Sequence, residues 1–177
     1  MTLMDNLVTR ERAAVHDLNV VSDDAQDRAE FSLRRSTLVY HKEAADAAAG
    51  TATTERALLV VPAHVTNGIE IVSVTLCAAA TSTADNANNA IISVYKRAAG
   101  GGSQTKLAER STDADTADAF GNLGTTITAN IPTAFSRTSV LATRSLAAGE
   151  SLTLEITKPG TGVVVGAGSI VVVYDEL

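Results

Sequence analysis

Tryptophan is absent from this chain of 177 residues, and other aromatic residues are scarce, with three tyrosines and three phenylalanines. A hydrophobic core must therefore be built from valine, isoleucine and leucine, with alanine and threonine filling the spaces between them. Valine, isoleucine and threonine are β-branched and favour strands. Carbohydrate sites usually stack a sugar ring on an exposed aromatic side chain, and no two aromatic residues here are spaced as a platform. The shortage of aromatics gives no support to a sugar-binding site.

Cysteine occurs once, at Cys77, so the chain cannot form an internal disulfide. Cys77 lies in an alternating apolar run, and we expect it to be a small buried hydrophobic residue. The histidines His16, His41 and His64 show no H-x-x-H or HExxH spacing. With a single cysteine beside them, they do not indicate a zinc site. No cofactor is therefore predicted.

Long apolar runs and an excess of positive charge are also missing. A transmembrane helix needs about 18 or more apolar residues in succession, and no such stretch occurs. The start, MTLMDNLVTRER, lacks the regions of a secretory signal, so we expect a protein made in the cytoplasm. The net charge of −6 disfavours binding to nucleic acid or an anionic membrane, since both need cations on the protein. Neither is expected as a partner.

Catalytic motifs are absent as well. The sequence contains no GxSxG motif, no P-loop and no Rossmann glycine pattern. Residues 100–102 are three glycines that follow a predicted strand, but they precede neither a helix nor a Gly-Lys-Ser/Thr sequence, so they indicate a loop. The sequence therefore predicts that the protein is not an enzyme.

Short strand patterns separated by turn signals fill the chain after residue 55, at residues 57–61, 69–80, 90–97, 104–110, 125–131, 139–145, 151–157 and 170–174. A first short strand is predicted before them, at residues 36–40. In the stretch 69–80, Val72, Val74 and Leu76 are expected to share the core face. We predict a mainly β fold, an antiparallel β-sandwich or jelly roll of about eight strands, with an N-terminal arm containing a short helix.

The clearest pattern lies between residues 145 and 177 and predicts two strands joined as a hairpin. Alternation in the first strand turns Leu152, Leu154 and Ile156 to the core. Pro159-Gly160 suits a type II turn. Residues 170–174 are apolar on both faces, so this strand is expected to lie against protein on both sides, with Ile170 and Val172 in the core.

Residues 1–50 are expected to form the arm and residues 51–177 the β-sandwich domain, because a run of small residues, AADAAAGTATT, separates them. Apolar side chains near the start, at Leu3, Met4, Leu7 and Val8, are spaced as on an amphipathic helix. Such a short helix needs a surface to dock on. That surface is either its own domain or a partner, and the sequence leaves both open.

Cations cluster in the second half of this arm, at Arg28, Arg34, Arg35 and Lys42. This basic patch could meet an acidic partner surface, although a solvated face is the more common origin of such a pattern. Together with the apolar stripe, Arg28, Arg34 and Arg35 are the candidate partner-binding residues.

Asp113, Asp115 and Asp118 place three carboxylates in six residues. Calcium binds several hard oxygen ligands, so these aspartates are candidate ligands. The glycine and the terminal glutamate of an EF-hand are missing, and the sequence favours a solvated acidic loop that keeps the domain soluble.

Residues 140–150, VLATRSLAAGE, and the runs SLTLEITKPGTG and GAGSIVVVYDEL that follow resemble small structural proteins of tailed bacteriophages. The resemblance implies a hairpin that closes a jelly-roll domain seated on a capsid. It also implies a capsid cement or decoration protein of the virion surface, which binds the major capsid protein and assembles as a homotrimer with arms reaching neighbouring subunits. No arm motif matches residue by residue. The alternatives are a receptor- or glycan-binding module of a phage tail or cell surface, and an enzyme on a β-sandwich.

Overall fold

The computed structural model describes residues 35–42, 54–159 and 162–177, which contain ten β-strands and one short helix. The strands are β1 (Arg35–Lys42), β2 (Thr54–Val60), β3 (Ile69–Ala78), β4 (Ile91–Arg97), β5 (Gln104–Ser111), β6 (Thr133–Ala134), β7 (Ser136–Arg137), β8 (Ser145–Leu146), β9 (Ser151–Thr157) and β10 (Gly168–Glu176), and the helix is α1 (Leu141–Arg144). The predicted mainly β, antiparallel fold is confirmed. Within these residues no helix has the length and apolar character needed to cross a membrane.

The strands form two sheets whose order is that of a jelly roll. The first sheet has the order β1-β10-β3-β6, with β8 also paired to β3. The second sheet has the order β2-β9-β4-β5-β7. The last two long strands are inserted among the early ones, β9 between β2 and β4 and β10 between β1 and β3. This double insertion is typical of a jelly roll, so the sequence prediction of a β-sandwich or jelly roll is confirmed.

The core lies between the sheets and consists mainly of valine, leucine and isoleucine. Burying one such side chain contributes about 1.5–3 kcal/mol. The core residues predicted for the last two strands are all buried, namely Leu152, Leu154, Ile156, Ile170 and Val172. Phe135 is buried with them, while Tyr40 and Tyr174 pack against the core from its margin. The core is therefore packed mainly with aliphatic side chains, as the scarcity of aromatic residues requires.

A bulge interrupts the alternation of β3. The register against β10 shifts so that Val72 has no partner between Ile71 and Ser73. An extra residue of this kind reverses the facing of the residues beyond it. Ile71 and Val74 are therefore both buried, whereas Val72 is half-buried. The prediction that Val72 shares the core face with Val74 and Leu76 is wrong for Val72.

Two predicted strands are absent from the structure. Residues 125–131 form a loop in which Ile127 makes one isolated bridge with Ser82, and the Ile127 side chain is buried. Residues 139–145 contain α1, and β8 begins only at Ser145. In the first segment a single apolar side chain reaches the core from a loop. In this segment the alternation reflects the burial of one side chain and not strand pairing.

The hairpin predicted for the end of the chain is also wrong. β9 pairs with β2 and β4, whereas β10 pairs with β3, so the chain crosses from the second sheet to the first between them. A hairpin would place the two strands side by side in one sheet. Gly160 lies outside the described residues, so the type II turn at Pro159-Gly160 stays a prediction.

The strand predicted at residues 36–40 is confirmed and extends over the whole of β1. Leu38 and Tyr40 pack against the core, whereas Val39 is 46% exposed and His41 is also exposed. Residues 35–42, which the sequence placed in the arm, therefore belong to the first sheet. The division into an arm (1–50) and a domain (51–177) otherwise stays a prediction.

Candidate interaction surfaces

The loop after β5 carries the three aspartates considered as calcium ligands. Oδ1 of Asp113 accepts hydrogen bonds from the main-chain N–H groups of Asp115 and Thr116, both at 3.0 Å. The Thr116 and Asp115 N–H groups hold the pKa of the Asp113 carboxyl below its ordinary value. The carboxylate of Asp115 instead accepts a hydrogen bond from the side-chain amide of Asn86.

Asp118 organises the far half of the same loop. Its Oδ1 accepts hydrogen bonds from the main-chain N–H groups of Phe120 at 2.8 Å and Asn122 at 2.9 Å. Burial raises the pKa of Asp118, but the Asn122 N–H, the Ser136 hydroxyl and the Phe120 N–H outweigh burial, and the pKa lies below its ordinary value. Asp118 therefore stabilises a turn through its charged form.

The three carboxylates thus serve three separate sets of hydrogen bonds. Across residues 35–42, 54–159 and 162–177, no three His, Cys, Asp or Glu side chains are grouped so that they could hold a metal ion. The structure does not bring Asp113, Asp115 and Asp118 together around one point. Their arrangement is that of a loop braced by its own aspartates.

A buried glutamate of β5 fastens this loop to the second sheet. Glu109 is only 4% exposed, and its Oε1 accepts a hydrogen bond from the main-chain N–H of Ala119 at 3.3 Å. Its Oε2 accepts hydrogen bonds from the Ser93 hydroxyl at 3.2 Å and from the ammonium group of Lys106. Burial lowers the pKa of Lys106, but the bond to Glu109 outweighs burial and the pKa is raised. A buried charge with these partners holds the loop against the sheet.

Charged side chains continue across the outer face of the second sheet. The guanidinium of Arg97 donates two hydrogen bonds to the carboxylate of Glu55, each 2.5 Å long. Arg97 thereby lowers the pKa of Glu55. Beside them, Gln104 donates to Glu155 at 3.3 Å. This face is therefore polar and hydrated, as a solvated sheet face should be.

The outer face of the first sheet is different, because its centre carries no charged side chain. In β10, Val171 and Val173 point outward, opposite Thr75 and Ser73 of β3. Cys77 lies next along β3, and Val39 of β1 is exposed on the same side. We call this surface the uncharged face; it consists of Val39, Ser73, Thr75, Cys77, Val171 and Val173.

Two sequence predictions fail on the uncharged face. Cys77 is half-buried and points outward, so it is not a core residue. Val171 and Val173 are also half-buried, although β10 was expected to lie against protein on both sides. Within one chain, the core covers only the inner side of β10.

A small cleft of about 220 Å³ opens near the end of β10. It is lined by Leu59, Val61, Pro62, His64, Val65, Ile69, Tyr174 and Glu176. Sites for small molecules usually measure about 300–1,000 Å³, so the cleft is small for such a ligand.

The predicted partner-binding residues fall mostly outside the described part of the chain. Leu3, Met4, Leu7, Val8, Arg28 and Arg34 are not described, so the helix and this half of the basic patch stay predictions. Lys42, which the sequence placed in the same patch, is buried at the end of β1, where its ammonium group donates a hydrogen bond to the carbonyl oxygen of Val165 at 2.8 Å. Arg35 is the first residue of β1, and its side chain is exposed.

Similarity to known proteins is found among solved structures and not in sequence. No family model matches the chain, and no curated protein is similar to it in sequence. Among solved structures, the chain is similar to a pentameric capsid protein from metagenomic phage sequences, with 15% identity and a TM-score of 0.32, over 75% of this chain and 58% of that one.

Two further solved structures show the same low level of similarity. A chain of infectious bursal disease virus, Gx strain, matches with 14% identity and a TM-score of 0.33, over 80% of this chain and 33% of that one. Eiger TNF from S. frugiperda matches with 10% identity and a TM-score of 0.36, over 78% of this chain and 92% of that one. The chain thus spans less than two thirds of both viral chains. TM-scores this low support no conclusion about function. The assignment of a jelly roll rests instead on the order of the strands.

Proposed function

We propose that this protein is a structural component of a bacteriophage virion, a cement or decoration protein that binds and stabilises the outer surface of the capsid. Its partners are the major capsid protein and further copies of itself in a homotrimer. One observation carries the proposal: the stretch 140–177, which resembles phage structural proteins, supplies β9 and β10, the strands that complete both sheets of a jelly roll.

A repeated capsid lattice allows weak contacts to give firm attachment. A cement protein meets the same surface many times on one particle, so several weak contacts add up to firm attachment. The domain then needs a stable scaffold and no deep pocket. The aliphatic core between the two sheets provides that scaffold.

The arm is the segment that we assign to the contact with neighbouring subunits. Its apolar residues, Leu3, Met4, Leu7 and Val8, would order against a partner surface. Arg28 and Arg34, together with Arg35 at the start of β1, would meet acidic groups there. Ordering a segment on binding gives a long reach for few residues. Production takes place in the host cytoplasm and the final location is the virion.

The competing function, a receptor- or glycan-binding module, receives less support from the described aromatic residues. Lys106 lies over the ring of Tyr95, with its Nζ 5.6 Å from the ring centroid. The hydroxyl of Tyr40 accepts a hydrogen bond from Arg56 at 3.1 Å. Tyr174 packs against the core and Phe135 lies within it. None of these four rings is arranged as an open stacking platform.

The test is sedimentation with capsids that lack this protein. The full-length wild-type chain should sediment with them, and the Leu7→Asp variant should not, because a charge in the apolar stripe prevents docking. Thr9→Asp places the same charge outside the stripe and should bind as the wild type does.

Failure of the wild-type chain to sediment would reject the proposed function. Equal binding by the wild-type and Leu7→Asp chains would reject the role of the arm alone. A truncation for the same assay should remove residues 1–34 and not 1–50, because β1 is part of the first sheet.

A further inference from the structure

The two outer faces of the jelly roll differ in charge. The second sheet displays Glu55, Arg97, Lys106 and Glu155 along its outer face. On the outer side of the first sheet, charged groups lie toward the ends of the strands. Glu70 pairs with Arg144 at 2.9 Å, and Asp175 lies opposite Glu70. Arg35 and His41 are exposed near the two ends of β1. Depletion of charge distinguishes the centre of a protein interface from the rest of a surface, and the centre of the uncharged face shares this feature.

The sequence of β10 supports this reading independently. A strand with one solvated face normally alternates apolar and polar residues, whereas a run that is apolar on both sides is typical of a strand covered on both sides. Ile170 and Val172 are buried in the core, yet Val171 and Val173 are only half-buried. Val39 of β1 adds a further apolar side chain that is 46% exposed. The outer side of β10 lacks the cover that its sequence predicts.

We infer that a second copy of this chain covers the uncharged face in a two-fold, face-to-face contact, which is separate from the contacts within the proposed homotrimer. The argument for this occupant is electrostatic. The chain carries a net charge of −6, so two copies repel each other except where the contacting surfaces bear no charge. A basic partner would need carboxylates at the centre of the contact, and the centre of the uncharged face has none.

The size of the face sets the strength of the contact. Three strands spaced by about 4.8 Å and five residues of about 3.3 Å each give an area of roughly 240 Å². A stable complex of standard size buries about 800 Å² on each partner. The contact is therefore a weak one that forms reversibly in solution and is reinforced on a lattice. The reinforcement on a lattice rests on the proposed function. The contact itself would form between copies of the free protein.

The first experiment measures self-association of the full-length protein by sedimentation velocity over a range of concentrations. The wild-type chain should associate reversibly, and Thr75→Lys should weaken this association at least tenfold, because two lysines would meet in a contact without counter-charges. The substitution also reduces the net negative charge, which by itself would favour association. Thr157→Lys makes the same change on the outer face of β9, beside Glu155, and should leave association unchanged.

The second experiment uses Cys77 as a natural probe and needs no substitution. Its thiol should react with a maleimide more slowly at high protein concentration than at low concentration, because association covers it. A monomer at all concentrations would overturn the inference, and so would association that neither protects Cys77 nor responds to Thr75→Lys. Capsid sedimentation tests capsid binding separately, so a monomer that still binds capsids would reject this inference and the homotrimer but not the role in binding the capsid.

Discussion

Gly168 of β10 and Cys77 of β3 lie so close together that a Cβ atom on Gly168 would be 2.2 Å from the carbonyl oxygen of Cys77. This contact occurs where β10 begins to pair with the end of β3. Gly168→Ala should therefore force the strands apart and destabilise the domain by about 1–3 kcal/mol. Chemical denaturation followed by circular dichroism measures the change.

Gly102→Ala is the matched control for this substitution. A Cβ atom on Gly102 would meet nothing within 4 Å, and its φ lies outside the left-handed region. The control should be within about 0.5 kcal/mol of the wild type. Equal stability of the two alanine variants would contradict the close approach of β10 to β3.

The loop after β5 makes stability depend on acid pH. Asp113 and Asp118 have pKa values below the ordinary one because main-chain N–H groups bind their charged forms. A folded pKa below the unfolded value of about 3.9 gives stability that is complete above that value and is lost as pH falls through the folded pKa. The melting temperature should therefore fall steeply below about pH 4.

Asp118→Asn isolates one part of this pH dependence. Asparagine keeps the oxygen that accepts the hydrogen bonds from Phe120 and Asn122. Its side chain is neutral, so it is not changed by protonation in acid. The variant should lose less stability than the wild type between pH 5 and pH 3, as followed by thermal unfolding across that range. An unchanged pH profile would show that Asp118 does not contribute.

The buried Glu109 should be essential for holding the loop against the sheet. Glu109→Leu removes the acceptor for the Ala119 N–H and leaves Lys106 without its carboxylate, which should cost about 1–3 kcal/mol. Hydrogen exchange at the amide of Ala119 should become faster. Glu155→Leu changes a half-buried glutamate on the same face and should leave that amide protected; equal acceleration in both variants would argue against anchoring by Glu109.

Calcium should not stabilise the protein, because the three loop carboxylates engage separate donors. A ligand that binds the native state raises the melting temperature as its concentration exceeds its dissociation constant. The melting temperature should be the same in millimolar calcium chloride and in EDTA. A rise that saturates with calcium and disappears in the Asp115→Asn variant would restore the calcium site.

The sequence predicted the fold class because burial in a sheet imposes a period of two. Leu152, Leu154 and Ile156 follow that period and lie in the core as expected. The pairing of the strands could not be predicted in this way, because residues distant in sequence determine which strands pair. The adjacent β9 and β10 looked like a hairpin, yet each lies between earlier strands of a different sheet.

Two local features of the fold could not be predicted from the sequence for a related reason. The bulge at Val72 changes which side chains of β3 face the core, and only the pairing with β10 reveals it. Glu109 lies in a predicted strand, and nothing in the sequence pattern shows that the loop after β5 folds back over its side chain. The one signal that could have marked the uncharged face was the run of valines in β10.

The central claim, a structural role on the capsid exterior, is tested most directly by quantitative mass spectrometry of purified virions before and after mild surface proteolysis. The account predicts a copy number comparable to that of the major capsid protein, and loss of this chain on proteolysis while the capsid stays intact. Absence from the virion, or a few copies that purify with the tail, would contradict it.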